Sequence, residues 1–536
     1  MAIAATYCRG QLGLTAPLVQ VEVNLSAGLP VFSIVGLPAT AVKESKERVR
    51  AALTNSGFEF PAGRITVNLA PADLPKEGGR FDLPIALGIL MASHQVREVA
   101  GPGAGMQREF YGELSLSGEL LPVRGLTLAA AHAARAGHEI IVPLANVRDT
   151  RIVRHGRTRG ACSLLEVCAH LRGEAREPVD QARLPAGGRR LARASGLARG
   201  LENQPSAVAP PVLDLTDVRG QQLPKRALII AAAGGHSLLM TGPPGSGKTM
   251  LAQRLLALLP ALSQTEALEV ATIASVSSLD LNMHSFGTRP FRAPHHTASA
   301  NAVVGGGPHA RPGEVSLAHR GVLFLDELPE FDRRVLESLR EPLENRTVVI
   351  SRARVQAQYP AAFQLVAAMN PCSCGYLGDV SGKCRCTPAQ VAAYRARISG
   401  PLLDRIDLFV EVPRVPAADI AGLGGAAALP RTMSTAAAAA IVARARERQM
   451  QRRGCLNGEL PQSQLQGLVR PSAQAAELLE QVFERLRLTA RSYHRVLRVA
   501  LTIADLDDSD VIGPVQIAEA VQLRRIAGSF RSEPAL

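Results

Sequence analysis

Two groups of residues have types and spacing suited to chemistry on a phosphate anhydride, and a third to holding a metal ion. The first is Gly242, Pro243, Pro244, Gly245, Ser246, Gly247, Lys248 and Thr249 (GPPGSGKT). It follows a short apolar run, His236–Thr241 (HSLLMT), and precedes a leucine-rich stretch, MLAQRLLALLPAL. Strand, glycine-rich loop and helix in that order are the context that makes such a pattern a phosphate-binding loop. The glycines let the backbone close tightly, so that its N–H groups point inward at an anion. The helix that follows aims its positive end at the same place. Lys248 is placed to reach β- and γ-phosphates, and Thr249 to hold Mg²⁺ through its hydroxyl.

The second group begins with Asp326-Glu327, at the end of VLFL (322–325), a continuous apolar run of the kind found in strands buried on both faces. Two adjacent carboxylates there need a cation. Asp326 suits Mg²⁺, directly or through water, and Glu327 suits the general base that polarises an attacking water. A third apolar strand, Phe363–Ala368, ends at Met369-Asn370, where the Asn370 amide is placed to orient that water. In ISGPLLDRIDLFVEV, Arg405 precedes a further strand. Its guanidinium either stabilises the phosphoryl group transferred in a neighbouring subunit or pairs with Asp404 or Asp407. A finger donated in trans makes activity depend on an oligomer, most simply a closed ring.

The third group is Cys372, Cys374, Cys384 and Cys386, two C-x-C elements in a glycine-containing loop just after Asn370. Four thiolates this close suit a tetrahedral structural Zn²⁺, with Lys383 and Arg385 offsetting their charge. Reduced thiols or disulfides are the alternatives, and a reducing compartment disfavours the latter.

These groups must be positioned by strands and helices in alternation, and residues 213–412 have that pattern, which predicts a parallel sheet. Residues 436–536 read as mostly helical, and 413–435 as a loose connection. The stretch 171–212, rich in Arg, Ala, Gly and Pro, reads as a basic linker, either a tether or a binding element. Residues 1–170 read as a compact α/β domain. Strands are expected at Val19–Leu25 and Arg64–Leu69. A helix is expected over Ala39–Leu53, with Val42, Val49 and Leu53 on one stripe. A hairpin over Gly112–Leu121 leads into a helix over Leu126–Gly137.

At 536 residues and 46% hydrophobic, the chain has apolar material for two to four domains. Sixty Lys and Arg against 47 Asp and Glu give +13, a balance that favours polyanions such as nucleic acid unless it reflects an arginine-rich proteome. With 4% aromatics and no Trp, reading single strands mainly by base stacking is disfavoured. Eight cysteines are too sparse for a disulfide scaffold. The N-terminus lacks the pattern of a secretory signal, and the best apolar run, Leu83–Ala92, is too short to cross a membrane. A soluble, cytoplasmic protein with no membrane partner is expected.

RPFRAPHHTAS (289–299), VVGGGPHARPGEVSLAHRGVLFLDELPEF (303–331) and QLVAAMNPCSCGY (364–376) resemble the magnesium-chelatase-like AAA+ group, and within it the ComM (YifB) subfamily, over nearly the whole chain. The resemblance implies an α/β protein with three parts: an N-terminal Lon-protease-like domain, a central AAA+ parallel sheet with inserted hairpins, and a C-terminal helical lid. It implies ATP and Mg²⁺ as cofactors, a hexameric ring, and ATP-driven branch migration of DNA during natural transformation. Asn370 then matches sensor 1 and Arg405 the arginine finger. Arg491, in TARSYHRVLRVALTIADL, matches sensor 2, a lid arginine on the γ-phosphate, with Arg495 as the second candidate. The long separation of Thr249 from Asp326 holds an insert carrying Arg289, Arg292, His295, His296 and Gly305–Gly307. These residues either face a pore and grip DNA or build turns, and the two adjacent histidines lack the further partners a metal site needs.

PKEGGRFDLPIA (75–86) and GELSLSGELLPVRGLTLAA (112–130) resemble the proteolytic domain of Lon. Arg80 stands where that family has its serine and Thr127 where it has its lysine, so peptidase chemistry is expected to be absent. The domain's role is then contact with DNA, a partner or neighbouring subunits. A chelatase-type motor for metal insertion and an ATP-dependent protease are the competing functional readings.

Overall fold

The structure, a computed structural model, describes residues 2–37, 39–72, 74, 76, 78–97, 107–153, 156–174, 213–277, 286–307, 310–351, 356–379, 382–415, 433–485 and 489–529. Most of the basic linker (175–212) and of the second connection (416–432) lies outside the described residues. The chain forms two compact units, residues 1–208 with 267–286, and residues 209–266 with 287–536.

In the first unit, strands Ala2–Arg9, Leu18–Ser26 and Arg64–Ala70 pair antiparallel in that order, and Val31–Val35 adds parallel to the last. Leu18–Ser26 alternates as a half-buried strand must, with Val19, Val21 and Val23 inside. Helix Thr40–Asn55 turns Val42, Val49 and Leu53 into the same core. Helix Asp82–Ala92 is apolar all round apart from Asp82 and is almost wholly buried. The expected hairpin appears as Glu113–Leu114 against Leu120–Leu121, followed by helix Leu126–Ala136 ending at Gly137.

Arg80 is buried, donating to the carbonyl of Arg124 (2.8 Å) and to Gln11 Oε1 (3.1 Å). Thr127 is buried and donates to the carbonyl of Asp149 (3.2 Å). Both side chains are tied into the backbone as fold-holding contacts, and neither supplies a nucleophile–base pair.

The second unit is built on five strands, β1 (Leu238–Thr241), β2 (Phe291–Arg292), β3 (Val322–Leu325), β4 (Gln364–Met369) and β5 (Leu408–Glu411). They lie in the order β2-β3-β4-β1-β5, all parallel. β1, β3 and β4 are buried throughout, which is why their sequences run apolar without alternation. The register places Leu238 beside Val366 and Leu408, and Val322 beside Gln364. The strands therefore start together at one edge and finish together at the other. Helices Thr435–Arg453, Gln462–Leu468, Ala473–Arg485, Ala490–Leu506 and Pro514–Ser529 make up the C-terminal part. Val496, Ala500 and Ile503 of the fourth helix share one core with Leu238, Met240 and Leu408 of the sheet. Among the described residues no helix is long and apolar enough to cross a membrane.

Candidate nucleotide site

The phosphate-binding loop, the two carboxylates and Asn370 meet at the edge where the strands finish, because each lies one residue beyond a strand: Gly242 after β1, Asp326 after β3, Asn370 after β4. Gly245 and Gly247 have φ of +73° and +92°, the left-handed turn that lets the loop reverse into helix Lys248–Leu258. No side chain caps that helix, so its first N–H groups are left to the loop's cavity, as an anion site requires. The Ser246 hydroxyl is buried without a protein partner. Lys248 Nζ donates to the carbonyls of Gly242 (2.7 Å) and Pro243 (2.9 Å) and to Asn370 Oδ1 (3.3 Å). Burial lowers the Lys248 pKa, and the charges of Asp326 and Glu327 pull against that shift.

Thr249 Oγ1 donates to Asp326 Oδ2 at 2.9 Å, so the hydroxyl and carboxylate expected to share Mg²⁺ already point at one another. The donor set, a hydroxyl and a carboxylate beside an uncapped helix start and a buried lysine, fits Mg²⁺ with a nucleoside triphosphate. Glu327 follows with φ +51°, which swings its half-exposed carboxylate away from the strand direction. His296 Nδ1 stands 3.4 Å from Glu327 Oε2, and the His295 ring lies against His296 at 4.1 Å between centroids.

That contact revises the reading of the insert. Arg292 pairs with Glu314 at 2.6 and 2.7 Å. Arg289 donates to the carbonyls of Pro260 and Arg320. Gly305-Gly306 pairs with Arg311-Pro312 as a two-residue ladder. These contacts are made within the insert, as its turn-building reading expects, while His296 addresses the carboxylate expected to act as base. The parallel pairing of β2 with β3 explains it: residues that follow Arg292 run on beside those that follow Leu323. Nothing in the sequence alone reveals that adjacency.

Arg405 and Arg491 lie at the opposite edge. They line a cavity of about 500 Å³ together with Ser237, Gly321, Gln364 and Asp407, the residues that precede or open strands β1, β3, β4 and β5. Arg405 Nη2 reaches Glu344 Oε1 at 2.5 Å, and Arg491 Nη2 reaches the same oxygen at 3.6 Å. The expected alternative partners of Arg405, Asp404 and Asp407, are replaced by Glu344, a residue that no motif marks. Arg491 therefore does not close over its own chain's phosphate loop, as a sensor 2 acting within one subunit would. The helix carrying it is docked against the wrong edge for that. Arg495 is committed too, paired with Asp407 and donating to the carbonyl of Arg405. Burial alone would raise the Asp407 carboxyl, but Arg495, His236 and Arg524 outweigh it and hold its pKa well below the usual range.

Eight arginines and four acidic residues line this cavity, an excess suited to a polyphosphate. Burial, and secondarily the neighbouring Arg289 charge, lowers Arg446 to about 10, with Glu459 and Glu266 pulling the other way.

The four cysteines form a cluster whose Sγ atoms all lie within 4.8 Å of one another. Cys374 is brought down to about 6, first by the Tyr376 backbone N–H and then by the Cys372 thiol. The Cys386 backbone N–H lowers Cys384, yet desolvation and the neighbouring Cys374 and Cys372 thiols push it up to about 11.

Comparison with known proteins gives three family matches. The description "Magnesium chelatase, subunit ChlI" covers residues 214–420, "Subunit ChlI of Mg-chelatase" residues 21–146, and "Magnesium chelatase, subunit ChlI C-terminal" residues 432–524. The chain is 45% identical over 524 residues to the competence protein ComM of Haemophilus influenzae, covering 98% of each. It is 44% identical over 531 residues to YifB of Escherichia coli, again 98% of each. The magnesium-chelatase 38 kDa subunit of Rhodobacter capsulatus is 28% identical over 189 residues, 31% of this chain and 54% of that subunit. The first unit is thus matched by a magnesium-chelatase family description, and its Lon-like character stays an expectation from motifs. With end-to-end similarity to ComM and YifB and chelatase-type matches across both units, the chain belongs to the ComM (YifB) subfamily of magnesium-chelatase-like AAA+ proteins.

Proposed function

We propose that the chain is an ATP-hydrolysing hexameric ring motor that acts on DNA as a helicase or branch migration factor, promoting DNA integration during natural transformation and recombination. One observation carries the ring: the hydrolytic set is split between the two edges of one sheet. Gly242–Thr249, Asp326, Glu327 and Asn370 stand at one edge, and Arg405 with Arg491 at the other. A complete site needs the loop edge of one subunit against the arginine edge of the next. In this reading both arginines serve the neighbour, and Glu344 holds them until a γ-phosphate takes its place.

ATP with Mg²⁺ supplies the phosphoryl group and the metal that neutralises its charge. Lys248 and the loop N–H groups bind the phosphates. Thr249 and Asp326 are the metal's protein ligands. Glu327 accepts a proton from water that Asn370 orients. A Zn²⁺ held by Cys372, Cys374, Cys384 and Cys386 is the structural metal of this reading. DNA as partner is supported by the +13 balance and by the similarity to a competence protein of Haemophilus influenzae.

The test is ATPase activity with single-stranded, duplex and four-way-junction DNA, read beside the mass of the assembly with and without nucleotide. Stimulation by at least one DNA form, lost on Glu327→Gln and on Arg405→Ala, is expected. Indifference to every form removes DNA from the reading. A chelatase-type motor is the second reading, favoured by the similarity to the Rhodobacter subunit. Metal insertion into a porphyrin with cognate chelatase subunits is the measurement that selects it.

A further inference from the structure

The four-cysteine cluster touches the nucleotide site at three places. Cys372 lies two residues after Asn370, with only Pro371 between. Gly375, at φ +84°, brings its backbone against the phosphate loop. A Cβ there would lie 2.8 Å from Pro244 Cδ, 2.9 Å from Cγ and 3.8 Å from Asn370 Cγ. On the far side, Cys386 leads directly into Thr387, whose side chain caps helix Pro388–Arg395. Buried Tyr394 of that helix stands near the backbone of Asn370, close enough for the Asn370 N–H to act on its phenol. The segment thus leaves Asn370, crosses the phosphate loop, and comes back to Asn370.

Residues 371–386 contain no strand or helix among those described, and stretches of this length in a compact domain usually need something to fix them. The sulfur positions identify the fastener. Cys372 and Cys374 Sγ are 3.3 Å apart, Cys372 and Cys384 3.8 Å, Cys374 and Cys384 3.6 Å. Four sulfurs at ~2.3 Å around a tetrahedral zinc stand about 3.8 Å apart, whereas a disulfide needs about 2.05 Å. Cys372, Cys374 and Cys384 are already near the spacing of a metal shell, and Cys386 Sγ lies within 4.8 Å of each.

We propose that Zn²⁺ in this four-thiolate knuckle braces Pro244 and Asn370, so that metal occupancy sets ATP affinity and turnover. The proposal rests on the zinc reading given under the proposed function. It adds that the metal acts on the nucleotide site through Gly375 and Tyr394. Binding takes up one Zn²⁺ and releases the protons of whichever thiols are not already ionised.

The experiment uses the full chain. Zinc content is measured by mass spectrometry of the metal. The protein is then stripped with a mercurial and chelator, both are removed, Mg²⁺ is restored, and binding of a fluorescent ATP analogue and ATPase rate are followed before and after Zn²⁺ is returned. About one zinc per chain is expected. Stripping weakens nucleotide affinity on the order of tenfold, and added zinc restores it. Gly375→Ala keeps its zinc but loses affinity to a similar extent, which separates the brace from any general unfolding of stripped protein. If reduced protein takes up no zinc at any concentration, the zinc reading fails. If zinc binds and leaves while affinity and rate stay unchanged, and Gly375→Ala behaves as wild type, the zinc reading stands and the brace is overturned.

Discussion

Chains carrying Lys248→Ala and chains carrying Arg405→Ala should each be inactive alone and regain activity when mixed. The edges of the sheet are separated by the length of β1, four residues, or about 13 Å at ~3.3 Å per residue. A guanidinium must come within ~3 Å of a phosphate oxygen to stabilise it. Arg405 therefore contributes nothing to the loop of its own chain, and its removal costs a neighbour's site about a thousandfold, the lower bound for a finger supplied in trans. In an equal, random mixture a given interface has an intact loop in half of cases and an intact arginine in half. About a quarter of interfaces are then complete, and the mixture should recover about a quarter of wild-type ATPase from parents each near a thousandth. The assay is steady-state phosphate release on co-refolded or subunit-exchanged mixtures, with native mass spectrometry to establish that mixed assemblies formed. A mixed assembly no more active than the mean of its parents would refute donation between subunits.

Glu327→Gln should bind ATP as tightly as wild type while losing 10²- to 10⁴-fold in turnover, which a filter-binding and a phosphate-release assay read separately; equal loss of binding contradicts the role as base. His296→Ala should lower kcat about fivefold with little change in KM, the effect of losing about 1 kcal/mol from one half-exposed contact to a carboxylate, and His296→Asn should recover part of it. Asp407→Asn should destabilise the second unit by roughly 3 kcal/mol, because it leaves Arg495 without its buried partner, as a denaturant titration would measure. The depressed Asp407 pKa also fixes a sign. Its stabilisation is complete above the unfolded carboxyl value of about 4 and is lost as pH falls below that, toward the lower folded value, so the acid limb of a melting-temperature profile should flatten in Asp407→Asn.

The strands and the loop edge of the site were legible because their physics is local. Val322–Leu325 is apolar throughout because it is covered on both faces, and the residue after it must then emerge at a sheet edge. GPPGSGKT between a strand and a helix leaves little freedom in where its lysine points. Helices at 40–55 and 126–136 follow from apolar stripes and, for the second, a terminal glycine at φ +73°. What the sequence did not disclose is pairwise and non-local. Glu344 lies in REPLEN, a stretch with no periodic or motif signal. Its partners are 61 and 147 positions further along the chain (405 − 344 and 491 − 344); Arg405 meets it where strand Leu408–Glu411 starts, and Arg491 only through the docking of the helical part against that edge.

His296 shows the same limit from the other direction. Two histidines beside arginines, in a protein of net charge +13, invite a reading in which all of them meet a polyanion. The parallel addition of β2 to β3 instead sets His296 against the acid at the end of β3 and leaves Arg292 to Glu314. A charge total counts Arg292 as available although its field is spent on a carboxylate 22 positions away in sequence. In the proposed ring motor the insert would then serve the timing of hydrolysis: a ligand that moves the His295-His296 turn moves the neighbour of Glu327.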